Sequence, residues 1–139
     1  MKALLDTSVL VAAFLADHTH HIASLNLFLR FKKDEAGCGA HTLAELYSTM
    51  TRLPGKHRVS AENAMLFLAQ TRERLTVVTL TGNEYYDAIQ SASAKGVTGG
   101  TIYDALLASC ALKAKAEILY TWNVRHFQRL GVLRRVETP

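Results

Sequence analysis

Met1-Lys2-Ala3-Leu4-Leu5-Asp6-Thr7-Ser8-Val9-Leu10 sets the plan of this chain. A short apolar run ends in an aspartate, a threonine and a serine. Apolar residues then resume at helical spacing with Val9, Leu10, Ala13 and Phe14. The pattern predicts a buried strand over about Lys2–Leu5, with a helix following from about Ser8 to Leu15. The strand delivers Asp6 to its carboxyl end. Ligands gather outside the carboxyl ends of strands in open parallel sheets, so the acids able to reach Asp6 become the main question.

The same alternation continues downstream. A second helix follows the Asp17–His21 turn, and Gly37-Cys38-Gly39-Ala40 reads as a short central strand whose small residues admit close neighbours. Thr42 and Glu45 have capping-box spacing, which predicts that the next helix starts at Thr42. Pro54-Gly55 marks a loop, and Ser60 caps a helix over about Ala61–Arg74. Leu75–Leu80 is rich in β-branched residues and reads as a strand. A helix from Thr81 to about Lys95, a glycine-rich loop and a helix from Thr101 to about Lys115 come next. Glu117–Tyr120 is a strand, Val124–Leu130 a short helix stopped by Gly131, and Val132–Val136 a last edge strand. Strands alternating with helices predict an α/β fold, with a mostly parallel five-stranded sheet covered on both faces.

At 139 residues the chain is expected to form one domain, spanning 1–139. Its 49% hydrophobic and 20% charged residues are those of an ordinary soluble protein. No apolar run approaches the roughly 20 residues of a membrane span, and the acid at position 6 is unlike a secretory leader. Cys38 and Cys110 are too few for a disulfide scaffold or a zinc site, so a reducing, cytoplasmic setting is expected. The net charge of +4 permits nucleic-acid binding without requiring it. Two basic clusters stand out: Arg52, Lys56, His57 and Arg58 in one loop, and Arg125, Arg129, Arg134 and Arg135 near the end.

Asp6, Glu45 and Asp104 share a local situation, each next to a strand or a helix start. Three carboxylates in one pocket repel unless a cation lies among them. Oxygen donors with some water are the preference of Mg²⁺ or Mn²⁺, and such a site activates water against a phosphoryl group. The competing reading is ordinary helix capping. Thr42-x-x-Glu45, Thr101-x-x-Asp104 and Thr81-x-x-Glu84 all have the form of a capping box. Spacing alone leaves both readings open.

Four stretches bear on the choice. They are Leu5-Asp6-Thr7-Ser8-Val9-Leu10, Ala44-Glu45-Leu46-Tyr47, Tyr103-Asp104-Ala105-Leu106-Leu107-Ala108 and Thr121-Trp122-Asn123-Val124-Arg125-His126-Phe127. In this order they resemble the signature blocks of PIN domains, and the chain length is similar to that of the VapC toxins of VapBC toxin–antitoxin pairs. The resemblance implies a three-layer α/β/α fold and a Mg²⁺- or Mn²⁺-dependent ribonuclease. It places the metal-binding acids at Asp6, Glu45 and Asp104. The family's fourth acidic position falls on Asn123, whose amide oxygen can ligate or orient water but adds no charge. Ser8 is implied as a polar neighbour of Asp6, with Thr101 and Thr121 as weaker candidates beside the site. Arg52, Lys56, Arg58 and Arg125 are candidate phosphate contacts. An RNA substrate, a homodimer and a VapB-like antitoxin covering the acidic pocket are implied as partners.

The remaining candidates carry less. His18, His20 and His21 lack a carboxylate or cysteine partner spaced to close a zinc site. Ser8 lacks the Gly-x-Ser-x-Gly turn of a serine nucleophile, and Gly99-Gly100 lacks a phosphate-loop lysine. Tyr47, Tyr103 and Trp122 lie next to proposed site residues and can either stack on bases or join the core. Two rival functions remain: a catalytically weak RNA-binding scaffold, favoured by the missing fourth acid, and an unrelated phosphoryl-transfer enzyme using Asp6 as nucleophile.

Overall fold

Five short strands form the sheet: β1 (Ala3–Leu5), β2 (Ala36–Gly39), β3 (Thr76–Val78), β4 (Ile118–Tyr120) and β5 (Val136–Glu137). The computed structural model describes residues 1–139. Every strand pair is parallel, in the order β3-β2-β1-β4-β5. The expected mostly parallel sheet is therefore wholly parallel. The helices are α1 (Thr7–Phe14), α2 (His21–Arg30), α3 (Ala40–Thr51), α4 (Ala61–Arg74), α5 (Gly82–Ala94), α6 (Ile102–Lys113) and α7 (Val124–Leu130).

Side chains alternate across a strand, and β1 uses both faces. Ala3 and Leu5 join one core with Val9 and Leu10 of α1, Leu27 and Phe28 of α2, and Leu46 and Met50 of α3. Leu4 joins the other with Ala92 of α5, Leu106, Leu107 and Cys110 of α6, and Phe127 of α7. Phe67 and Leu68 of α4 pack against the first core. The result is three layers, α/β/α. Each fully buried leucine contributes roughly 1.5–3 kcal/mol, which fixes the helices against the central strand. Both cysteines are buried and unpaired. No helix is long and apolar enough to cross a membrane.

β2 has poor strand propensity, yet it lies between β1 and β3. Close approach explains its glycines. A Cβ on Gly37 would stand 2.6 Å from the Thr76 carbonyl oxygen, and one on Gly39 would stand 2.8 Å from His41 Cε1. Several boundaries differ from expectation, among them β3, which ends at Val78 rather than Leu80. α3 starts at Ala40 rather than Thr42, so Glu45 lies in its second turn. A 3₁₀ turn at Gly99–Thr101 precedes α6. β5 is Val136–Glu137 instead of Val132–Val136, paired with Leu119 and Tyr120 of β4.

The topology points to one end of the sheet. From β1 the chain builds outward through β2 to β3, then returns to place β4 on the other side of β1. The crevice where strand order reverses, at the carboxyl ends, is the favoured ligand position in such sheets. Asp6 leaves β1 there, and Thr121, Trp122 and Asn123 leave β4 there.

Candidate active site

Asp6 is 5% exposed and occupies the N-cap position of α1 without capping it. Its Oδ2 instead accepts hydrogen bonds from Ser8 Oγ and Thr121 Oγ1, both at 2.7 Å. Those hydroxyls are anchored in turn. Ser8 Oγ accepts from the Trp122 backbone N–H at 3.0 Å, and Thr121 Oγ1 accepts from the Asn123 N–H at 2.9 Å. A buried carboxylate is costly unless it is hydrogen-bonded. Here two hydroxyls on one oxygen meet that need, and Oδ1 carries no side-chain partner of this kind.

Glu45 reaches in from the second turn of α3, and Thr7 Oγ1 donates to its Oε1 at 3.2 Å. His41 Nε2 lies 3.7 Å from the same oxygen, but it donates at 3.2 Å to the Tyr103 carbonyl. Burial holds the His41 imidazole below its ordinary range, with the Tyr103 carbonyl and Asp6 acting the other way. A neutral imidazole leaves Glu45 without an ion-pair partner. Asp104 stands in the first turn of α6, with its Oδ2 3.2 Å from His126 Nδ1.

Crowding of negative charge is written into these groups. Burial, then the charge of Asp6, pushes the Glu45 carboxyl up to about 7. Burial and Asp6 likewise push Asp104 up to about 6, against the pull of His126. Asp6, Glu45, Asp104 and Asn123 line one open cavity of about 370 Å³, with Ser8 on its wall. The three acids line the cavity but, as they stand, do not converge closely enough to hold a metal ion together. The donor set is carboxylate and amide oxygen, which suits a hard cation such as Mg²⁺ or Mn²⁺.

Capping does not account for these acids. Thr42 is fully buried with its hydroxyl unpartnered, and Thr101 makes no cap hydrogen bond. Only Thr81 and Glu84 close a capping box, at 3.2 and 3.3 Å. Asn123 takes the N-cap position of α7, again without a side-chain cap bond. Thr121 sits against Asp6 as described, whereas Thr101 does not reach the cavity. The 3₁₀ turn carries it to a separate cleft beside Lys95, His126 and Arg129.

The basic candidates lie around this centre. Arg52 lines a neighbouring cleft of about 760 Å³ that shares Glu45 and Thr49 with the acidic cavity. Lys56 is exposed in the 3₁₀ turn Gly55–His57, and Arg58 Nε donates to the Leu53 carbonyl at 3.1 Å. His57 pairs with Asp17 at 3.1 Å, which holds that loop beside the α1–α2 turn. Arg125 is exposed two residues beyond Asn123. Tyr103 is 46% exposed next to Asp104. Trp122 is occupied: Nε1 donates to Ser24 Oγ at 2.9 Å, and His20 covers its ring. Sequence reasoning passed over Thr7 and Thr49 and weighed His18 only as a zinc ligand, though all three line the cavity. Thr7 was the most accessible of these, since it adjoins Asp6 and opens the same helix.

Comparison with known proteins agrees with this fold. The family model described as PIN domain matches residues 3–133. Ribonuclease VapC27 of Mycobacterium tuberculosis (strain ATCC 25618 / H37Rv) is 34% identical over 131 residues, covering 91% of this chain and 90% of its own. Among solved structures, the sarcin-ricin loop cleaving toxin VapC20 of Mycobacterium tuberculosis superposes with a TM-score of 0.76 at 17% identity, covering 95% of this chain and 97% of its own. VapBC2 from Rickettsia felis, bound to a DNA fragment from its promoter, gives a TM-score of 0.69 at 22% identity, with both chains covered completely. At those identities the two structures attest the fold.

Proposed function

The chain belongs to the PIN domain family, and from that premise we propose that it is a divalent-metal-dependent endoribonuclease, the toxin of a toxin–antitoxin pair. One observation carries the reading. Asp6, Glu45, Asp104 and Asn123 come from four separate segments and line a single cavity at the switch point of the sheet. In the proposal Asp6, Glu45 and Asp104 hold one Mg²⁺ or Mn²⁺, and Asn123 assists. When bound, such a cation neutralises charge on a phosphoryl group under attack and makes water a better nucleophile.

The protein's own contribution is orientation and charge. Ser8 and Thr121 lock Asp6 by its Oδ2, which leaves Oδ1 without a side-chain partner. Thr7 steadies Glu45, and His126 steadies Asp104. Three carboxylates with a neutral fourth group make a site poorer in charge than one with four acids, and we assign it one metal. Arg52, Lys56, Arg58 and Arg125 contact flanking phosphates, and each such contact steepens the salt dependence of binding. The name of the 34% identical relative, a ribonuclease, supports RNA as the substrate.

A VapB-like antitoxin is the proposed partner, supported by the VapBC structures of the same fold. A groove of about 850 Å³ beside α1, α2 and α4 also favours a protein partner. Phe14, Phe28, Phe31 and Phe67 line it together with Arg30, Lys32, Lys33 and Arg74, against a single acid, Glu73. An apolar groove with basic residues fits an amphipathic segment that carries acids. A homodimer is proposed from the family likeness, and the exposed Tyr86 and Ile89 of α5 offer apolar surface for it. The test is to map RNA ends after induced expression. New, discrete ends with the natural chain, and none with Asp6→Ala, are the expected result. Identical end maps for the two would overturn the reading.

A further inference from the structure

The turn His18-Thr19-His20-His21 is the sequence feature that the nuclease reading leaves unused. Its three imidazoles have three separate settings. His21 Nδ1 lies 2.9 Å from the Ala12 carbonyl, which ties the turn to α1. His20 lies flat on Trp122, with ring centroids 3.6 Å apart and planes 10° from parallel. Trp122 is itself fixed by the fully buried Ser24 and by Ser8, whose hydroxyl holds Asp6. His18 is the one that lines the acidic cavity. The His20 backbone N–H donates to His18 Nδ1 at 3.0 Å. Nδ1 is therefore an acceptor, and the ring proton of the neutral imidazole sits on Nε2.

A phosphodiester entering this cavity is an anion among carboxylates, and it needs hydrogen-bond donors. Most of those nearby are committed. The hydroxyls of Ser8 and Thr121 donate to Asp6, the hydroxyl of Thr7 to Glu45, and the indole of Trp122 to Ser24. The uncommitted side-chain donors on the wall are the Thr49 hydroxyl, the Asn123 amide and His18 Nε2–H. Among these, His18 alone has its donor atom selected in advance by a backbone hydrogen bond, within a turn pinned at both following histidines.

Resting on the nuclease reading, we propose that His18 is a substrate-binding residue, whose Nε2–H donates to a non-bridging oxygen of the RNA phosphate in the acidic cavity. The other two histidines act through it as positioning residues: His20 by stacking on Trp122, and His21 by anchoring the turn.

The test is steady-state cleavage of a defined RNA oligonucleotide by the purified chain, His18→Ala and His18→Gln, with melting temperatures alongside. Glutamine sets an amide N–H near the place of Nε2–H. Loss of a hydrogen bond to a charged group should lower kcat/KM by roughly 10- to 100-fold in His18→Ala. Melting should fall at most slightly, through the turn hydrogen bond that His18 Nδ1 accepts, and His18→Gln should recover most of the loss in kcat/KM. Equal kcat/KM for the natural chain and His18→Ala would overturn the role. So would equal deficits in the alanine and glutamine variants, which would mark His18 as purely structural. A natural chain that cuts no RNA would instead sink the nuclease reading, and this role with it.

Discussion

Thr42 is fully buried, and its hydroxyl has no hydrogen-bond partner. An unpaired buried hydroxyl costs about 1–3 kcal/mol, so Thr42→Val, which keeps the shape, should be neutral or stabilising by up to about 1 kcal/mol. Thermal melting reads this as an unchanged midpoint or a rise of about 3 °C. Had Thr42 capped α3 as its spacing with Glu45 suggests, the same change would cost about 1 kcal/mol and lower the midpoint. The pair shows what is legible at this scale. Thr42-x-x-Glu45 and Thr81-x-x-Glu84 have the same spacing, yet only the second closes a capping box. The difference lies in Ala40 and His41, which are already helical and leave Thr42 inside α3 instead of at its N-cap. Asp6 was readable because a charge directly after a buried apolar run has few other uses. Its holders were only half readable: Ser8 is local, whereas Thr121 is brought from 115 positions away by the pairing of β1 with β4.

Among the elements, β2 is the least expected from propensity and the most constrained by space. Gly37 pairs with Thr76, and an added Cβ would meet that residue's backbone oxygen at 2.6 Å. Backbone cannot swing aside as a flexible side chain does. Gly37→Ala should therefore destabilise by about 1–3 kcal/mol, the usual cost of overpacking, measured as a lower denaturant midpoint with an unchanged slope. A wild-type midpoint would mean that the β2–β3 spacing is looser than described. Helices were legible nearly to the residue where a cap or a stop is local, as with Ser60 before α4 and Gly131 after α7. Strand ends were not, because a strand ends where its partner does. β5 could not be placed from its own residues, since its register is set by Leu119 and Tyr120 of β4. Thr101 was misplaced for a related reason: the 3₁₀ turn before α6 rotates it away from the acidic cavity, and nothing in Gly99-Gly100-Thr101 announces that turn.

For the whole molecule, the acidic cavity links folding to pH, and the proposed metal site would link it to cations. Glu45, pushed up to about 7, and Asp104, pushed up to about 6, bind protons more tightly when folded than when unfolded. Stability from such groups is fully present below the ordinary carboxylate range and is lost as pH rises through the raised values. Without added metal, the natural chain should lose stability relative to Glu45→Gln as pH rises from about 4.5 to about 7. The comparison cancels His41, whose lowered value acts in the opposite direction. At pH 8, Mg²⁺ or Mn²⁺ should raise the melting temperature of the natural chain, since a ligand that binds only the folded state stabilises it. Asp6→Asn should show little of that rise. Parallel pH curves for the natural chain and Glu45→Gln would contradict the charge crowding described here.

Metal-dependent RNA cleavage centred on Asp6 is measured with purified protein and a defined single-stranded RNA. Cleavage is followed with Mg²⁺ or Mn²⁺, with EDTA, and with Asp6→Asn. We expect discrete internal cuts that require the added cation and disappear with EDTA. Asp6→Asn should fall by more than the roughly 10- to 100-fold typical of losing a supporting contact at a metal site, with its fold intact. Cleavage that persists in EDTA, or at the natural rate in Asp6→Asn, would contradict the account.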